Sequence, residues 1–228
     1  MRSALSKAEI ESNIANIASR FGDAFRLHEK AAPETLSTGI AEVDTLTGGI
    51  PRGAITEIFG PRSSGRTSLL YSALGYATSH EEICALVDTS DAFAPTAAEA
   101  AQIDFDRLLW VRCAGNLENA FKATDLLLHA GGFGLVVLDI GDVAGKDARR
   151  IISSWWYRFR RTVENRPTSI LVISEEACTR SCAALALELQ GTAEWSKNLL
   201  NSNAINVNRC RPFVPAFNES QFRAQAVS

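Results

Sequence analysis

Eight consecutive residues, Gly60-Pro61-Arg62-Ser63-Ser64-Gly65-Arg66-Thr67, have a spacing suited to holding phosphate. Glycines at both ends let the backbone curl into a nest of N–H donors, and a helix opening at Thr67 adds the partial positive charge of its N-terminus. The pattern is G-x-x-x-x-G-[basic]-[Ser/Thr], so Gly60 to Thr67, with Ser68 behind them, are the candidate residues for binding ATP. The Thr67 hydroxyl is placed to ligate Mg²⁺. The usual basic residue is Lys, and here it is Arg66. A guanidinium is longer and planar, and its fork does not fit the pocket that a compact ammonium fills. The alternative is a plain Gly/Ser turn joining a strand to a helix.

A second phosphate-chemistry element follows at Gly134-Leu135-Val136-Val137-Leu138-Asp139, an apolar strand ending in a carboxylate. Burial of that strand places Asp139 at the carboxyl edge of a sheet beside the glycine-rich loop, where it can hold Mg²⁺ through water. Many buried strands end in Asp, so the signal gains weight only from its pairing with the loop.

The elements that must position these residues alternate. Strands are expected at Ala54–Phe59, Ile83–Asp88, Arg107–Arg112, Leu135–Asp139 and Ser169–Ser174. Helices are expected at Thr67–Ser79, Ala97–Gln102, Leu117–His129 and Lys146–Glu164. Short apolar strands alternating with amphipathic helices imply an α/β fold with a mostly parallel sheet between helices. Residues from Asn206 onward suit an edge strand. The expected domains are a helical arm and linker over 1–33, the α/β domain over 34–211, and a polar, mobile tail over 212–228. In the arm, Ser6-Lys7-Ala8-Glu9 fits a capping box, and Ile10, Ile14, Ile17 and Phe21 form one apolar stripe. That stripe either docks on the chain's own core or serves for partner binding and self-association.

The composition is that of a globular protein: 46% hydrophobic and 21% charged, with a formal charge of −3. That charge leaves nucleic-acid binding to a local patch. No run approaches the ~18 apolar residues of a membrane span, and the polar N-terminus is not a signal peptide. The five cysteines are scattered without C-x-x-C spacing and the three histidines are isolated. This suggests buried thiols in a reducing cytoplasm rather than a zinc site.

Three runs carry a family resemblance: Ser37-Thr38-Gly39 through Asp44, Gly48-Gly49-Ile50-Pro51-Arg52-Gly53, and Glu57-Ile58-Phe59 through Gly65. Together they resemble the core of the bacterial RecA recombinases. Val87-Asp88-Thr89-Ser90-Asp91-Ala92-Phe93-Ala94-Pro95 looks like that family's next segment, and the likeness extends from about Ser37 to Ser174. It implies a RecA-like P-loop NTPase core binding ATP and Mg²⁺. The departures fall in the hydrolytic parts. Ser90 stands where the family has the glutamate that activates water, and Arg66 replaces the P-loop Lys. Ser174-Glu175 replaces the Asn-Gln pair that senses the γ-phosphate, and the two DNA-binding loops look short.

This plan resembles the ImuA family, RecA-like accessory proteins of SOS translesion mutagenesis, which are grouped with SulA-type cell-division inhibitors. The resemblance implies weak ATP binding with negligible turnover, and action through SOS polymerase partners of the ImuB kind and RecA. Two other readings stand beside it. One is a DNA-dependent recombinase-type ATPase with Asp91 in place of the glutamate; the other is a cell-division inhibitor.

Residues 146–164, KDARRIISSWWYRFRRTVE, combine five arginines with four aromatics. One reading is a surface for single-stranded DNA or a polymerase, with Arg149, Arg150, Arg158, Arg160 and Arg161 neutralising phosphates while the aromatics stack on bases. Arg166, Arg180, Arg209 and Arg211 would extend it. In the other, Ile152, Trp155, Trp156, Phe159 and Val163 form a core-facing stripe and the arginines a solvated face.

Overall fold

The strand β3, Ile55–Phe59, lies at the centre of the domain and runs straight into the glycine-rich loop. The computed structural model describes residues 34–148, 153–196, 199–212 and 218–225. The helical arm expected over 6–30, and with it Arg149, Arg150 and Ile152, lies outside the described residues.

β3 pairs in parallel with β7, Ser169–Ser174, on one side and β8, Ala183–Ser196, on the other. Beyond β7 come β6, Leu135–Asp139, then β4, Cys84–Asp88, and the edge strand β5, Leu108–Arg112, all parallel. Beyond β8 the sheet turns antiparallel through β9, Leu199–Arg211, and β10, Glu219–Gln225. The order of the eight strands is β10-β9-β8-β3-β7-β6-β4-β5. A two-stranded ladder of β1, Thr35–Leu36, and β2, Ile50–Pro51, stands beside it.

Strands covered on both faces need apolar residues at successive positions, and Leu135 to Leu138 are all buried. Alternation sorts their side chains into two cores. Ile58, Leu86, Leu135, Val137, Leu171 and Ile173 share a core with α2, Arg66–Ser79, whose Leu69, Leu70 and Leu74 are fully buried, and with Ala98 of α3, Pro95–Ala100. Ile55, Val87, Val136, Leu138, Ile170 and Val172 face α4, Leu117–Ala130, and α6, Ser153–Val163. On that second face Phe121 stacks with Phe159 at 5.6 Å between ring centres and meets Trp156 edge-on at 5.1 Å.

Much of the RecA-like motif is structural. Asp44 in α1, Ala41–Thr47, accepts hydrogen bonds from the Thr38 N–H and from the hydroxyls of Ser37 and Thr38. The S-T-G…D run is thus a clasp holding the entry strand to α1. Gly39 (φ +76°) lies against α2, where a Cβ would approach Ser72 Oγ to 2.7 Å.

The run Lys146–Glu164, expected as a helix, is helical over α5, Gly145–Ala148, and α6, Ser153–Val163, and residues 149–152 lie outside the described residues. One expectation needs correction. The tail expected over 212–228 contributes β10, because Phe222 and Ala224 alternate with exposed Gln221 and Arg223, and Phe222 enters the core. Of the core-facing stripe on the aromatic helix, Trp156, Phe159 and Val163 are fully buried and Trp155 is half-buried, while Tyr157, outside the stripe, is exposed. Among the described residues no helix is long and apolar enough to cross a membrane.

Candidate nucleotide site

The glycine-rich loop sits at the carboxyl edge of the sheet, between β3 and α2, and its glycines are required by contact. A Cβ on Gly60 would fall 2.2 Å from the Leu189 carbonyl oxygen. Gly65, at φ +95°, is the N-cap of α2, and a Cβ there would fall 2.2 Å from Ile205 Cδ1. Thus β8 and β9, which sequence reasoning missed in this role, close over the loop. Ser64 is buried, and its hydroxyl has no hydrogen-bond partner. Pro61, Arg62, Ser63 and Thr67 are exposed and Ser68 is half-buried. Arg62 reaches Asp142 only at 3.7 Å. No side chain caps α2, so the first-turn N–H donors of this 14-residue helix meet no competing acceptor from a cap.

An uncapped helix start, a glycine turn and an orphaned buried hydroxyl together fit a nucleotide's phosphate groups. The fit to Mg²⁺ is poor. Asp139 shares the α2 side of the sheet with Asp88, its register partner on β4. The Gly141 N–H donates to Asp139 Oδ1 at 2.8 Å, and the Gly141 carbonyl accepts from Arg66 Nη1 at 3.1 Å. A Cβ on Gly141 would lie 3.0 Å from both the Arg66 nitrogen and the Asp139 oxygen. Arg66 is therefore 8% exposed and folded inward onto the turn after β6. Burial lowers its pKa, and the nearby carboxylates of Asp139, Asp142 and Glu175 oppose that shift. Burial pushes the Asp139 carboxyl up to about 6, against the pull of the Gly141 N–H and with a further push from Asp88.

Ser90, at the place of the water-activating glutamate, is exposed in the turn after β4. Asp91 does not stand in for it. The residue has φ +59°, and its carboxylate forms a two-point pair with Arg112, Nε to Oδ1 at 3.3 Å and Nη2 to Oδ2 at 3.0 Å. Asp88 is likewise occupied, accepting from the Ala92 and Phe93 N–H groups and from Trp110 Nε1.

The loop after β7 is fastened by a residue that sequence reasoning quoted only as part of a motif. Glu57 in β3, 2% exposed, accepts from Cys178 N–H at 2.6 Å, Thr179 N–H at 3.0 Å and Thr179 Oγ1 at 2.6 Å. Ser174 Oγ is the fourth donor, at 3.5 Å. A lone Glu within the β-prone run Ile55-Thr56-Glu57-Ile58-Phe59 was the available signal.

The arginines of the aromatic helix are partly committed. Arg158 pairs with Asp125 and lies over Trp155. Arg166 donates to the Leu128 carbonyl, Arg180 to Ser153, Arg209 to the Leu46 carbonyl, and Arg211 to the Arg180 carbonyl. Arg160 and Arg161 are exposed.

The family model of the RecA N-terminal domain matches residues 8–149, and the chain belongs to that family. It is 37% identical to the RecA protein of Nostoc punctiforme over 121 residues, covering 53% of this chain and 32% of that protein. It is 31% identical to the RecA protein of Wigglesworthia glossinidia brevipalpis over 158 residues, covering 62% and 47%. The chain thus spans about a third to a half of the length of these relatives. The crystal structure of the RadB recombinase is similar in fold, with a TM-score of 0.65 at 19% identity, covering 83% of this chain and 96% of that one.

Proposed function

We propose that this chain is a RecA-like accessory protein of bacterial DNA repair, of the ImuA kind, that binds ATP weakly, hydrolyses it negligibly and acts through partners in SOS translesion synthesis. The observation that carries this reading is the state of the three positions where a base could stand. Ser90 supplies no carboxylate, Asp91 is turned onto Arg112, and Asp88 is spent on its own turn. Losing a positioned base typically costs about 10²–10⁴ in rate. Binding is affected less, because the loop backbone, the Ser64 hydroxyl and the α2 N-terminus persist. In this reading the protein's own residues bind and orient the phosphates, and none moves a proton at the γ-phosphate.

Polymerase partners of the ImuB kind and RecA are the proposed contacts, with Arg160 and Arg161 and the N-terminal arm as their surfaces. The same arginines are the proposed contact for single-stranded DNA. The second reading, a recombinase-type DNA-dependent ATPase, is favoured by the family membership itself.

A fluorescent ATP analogue titrated onto the full chain, with phosphate release followed with and without single-stranded DNA, separates the two. Binding without release is expected. Release stimulated by DNA would replace the accessory reading with the ATPase one.

A further inference from the structure

We infer that the cation serving Asp139 is Arg66 itself, and that the loop takes a nucleotide's phosphates without a divalent metal. This rests on the nucleotide reading above and sharpens it.

Arg66 is the first residue of α2 and could project toward a phosphate from the loop, yet it is buried and turned the other way. Its guanidinium and the Asp139 carboxylate are bound to the two ends of one peptide unit's residue, Gly141, through its C=O and its N–H. Glycine leaves room for this, since a Cβ would crowd both groups at 3.0 Å and require them to shift. The guanidinium cannot be deprotonated in a protein, so it is a permanent positive charge. The charges of Asp139, Asp142 and Glu175 act on it, with Arg62 opposing them. Those carboxylates are the groups that would otherwise draw a metal ion to this edge.

Mg²⁺ demands a near-octahedral set of oxygens and is held by one or two carboxylates plus substrate phosphates. At this edge the carboxylate that would hold it already accepts an N–H, and a fixed cation lies on its flank. A divalent ion placed there would face repulsion in a poorly screened setting. The phosphate half of the site needs no metal. Its donors are backbone N–H groups of an uncapped helix and the unpartnered Ser64 hydroxyl. Arg62, with its side chain 77% exposed, adds a charge on the open side. A lysine at position 66 would change the arrangement, because its compact ammonium sits on a shorter stem than the guanidinium whose Nη1 holds the Gly141 carbonyl.

The test uses the full chain, a fluorescent ATP analogue, and either millimolar Mg²⁺ or EDTA. The expected result is an affinity the same within about twofold in both, with Arg66→Lys gaining a preference for Mg²⁺ of about tenfold or more. A wild-type affinity that falls about tenfold in EDTA overturns the inference. Thermal melting without nucleotide gives a second, independent reading. Mg²⁺ should raise the melting temperature of Arg66→Ala and leave the wild type unmoved, because only the variant has an unserved Asp139. If Mg²⁺ leaves the variant unmoved as well, the resident-cation inference fails. If no nucleotide binds under either condition, the nucleotide reading fails, and the melting result alone decides whether Arg66 takes the metal's place.

Discussion

Glu57 and Asp139 are two carboxylates of one sheet, two strands apart and on opposite faces, and they are satisfied in opposite ways. Glu57 sits in the middle of the central strand and receives four donors, two of them backbone N–H groups: three from the loop after β7 and one from Ser174 at the end of β7. Asp139 sits at a strand end and receives one N–H, with a guanidinium held nearby on the same glycine. A buried carboxylate surrounded by donors is a fastening. A carboxylate with one donor and an adjacent cation is an electrostatic site whose charge is still open to negotiation. The face toward α4 and α6 therefore holds the loop after β7 in place, and the face toward α2 handles charge.

Glu57→Ala is the largest break of this contrast. It strands several buried donors at once and should cost about 3–5 kcal/mol in urea unfolding. Glu57→Gln keeps one carbonyl acceptor but turns an NH₂ group against N–H donors, for an expected loss of about 1–3 kcal/mol. A loss under about 1 kcal/mol for the alanine variant would mean the loop after β7 is held by something else. Next in size is Arg66→Ala. It leaves the Gly141 carbonyl unpaired beside α2 and should cost about 1–3 kcal/mol. Hydrogen exchange should localise the change to the glycine-rich loop and the turn after β6, leaving the amides of Cys178 and Thr179 protected.

Asp139→Asn should be milder still, within about 1 kcal/mol, because an amide oxygen keeps the bond from the Gly141 N–H. Its signature is in pH. The carboxyl of Asp139 is raised from the ordinary carboxylate range to about 6, so between those values the folded chain holds a proton that the unfolded chain has released. Stability contributed by this group is present below that window and declines as pH rises through it. Melting scans from acid to neutral pH should show a shallower decline in Asp139→Asn than in wild type. Parallel curves would place the buried charge elsewhere.

The chemistry-bearing loop and its flanking strand and helix were legible because contiguous residues define them: the Ile55–Phe59 run, the two glycines, and Leu69, Leu70 and Leu74 behind them. The partners of those residues were not. The donors to Glu57 lie 117 to 122 residues further along the chain, and Gly141 lies 75 residues beyond Arg66. The type of residue at position 66 flagged a departure, but its direction depends on a turn that the chain reaches only after three more strands. β8 was missed for a local reason. Ala183 to Gln190 is rich in Ala, Leu and Glu, all strong helix formers. The period-two placing of Leu185, Leu187 and Leu189, each buried, was the signal that outweighs propensity. With β8 unread and β9 read only from Asn206 onward, the contacts of Leu189 and Ile205 over the loop were out of reach.

Asp91 gives the smallest expected effect and bears directly on what the molecule does. Its carboxylate lies 3.0 Å from Arg112 Nη2, an arginine whose side chain is 60% exposed. Pairs of that kind contribute about 0.2–1 kcal/mol. The left-handed backbone at Asp91 is one that Asn adopts as readily as Asp, so Asp91→Asn adds no strain. The substitution should therefore change stability by less than about 1 kcal/mol and leave nucleotide affinity and any residual phosphate release where they were. A general base behaves differently, because its removal lowers turnover by about 10²–10⁴ at unchanged stability. A drop of that size on Asp91→Asn would mean that the Arg112 pair opens when nucleotide arrives and that Asp91 swings to the phosphate edge. The charge-handling face would then be catalytic, and its contrast with the Glu57 face would be one of mechanism as well as of packing.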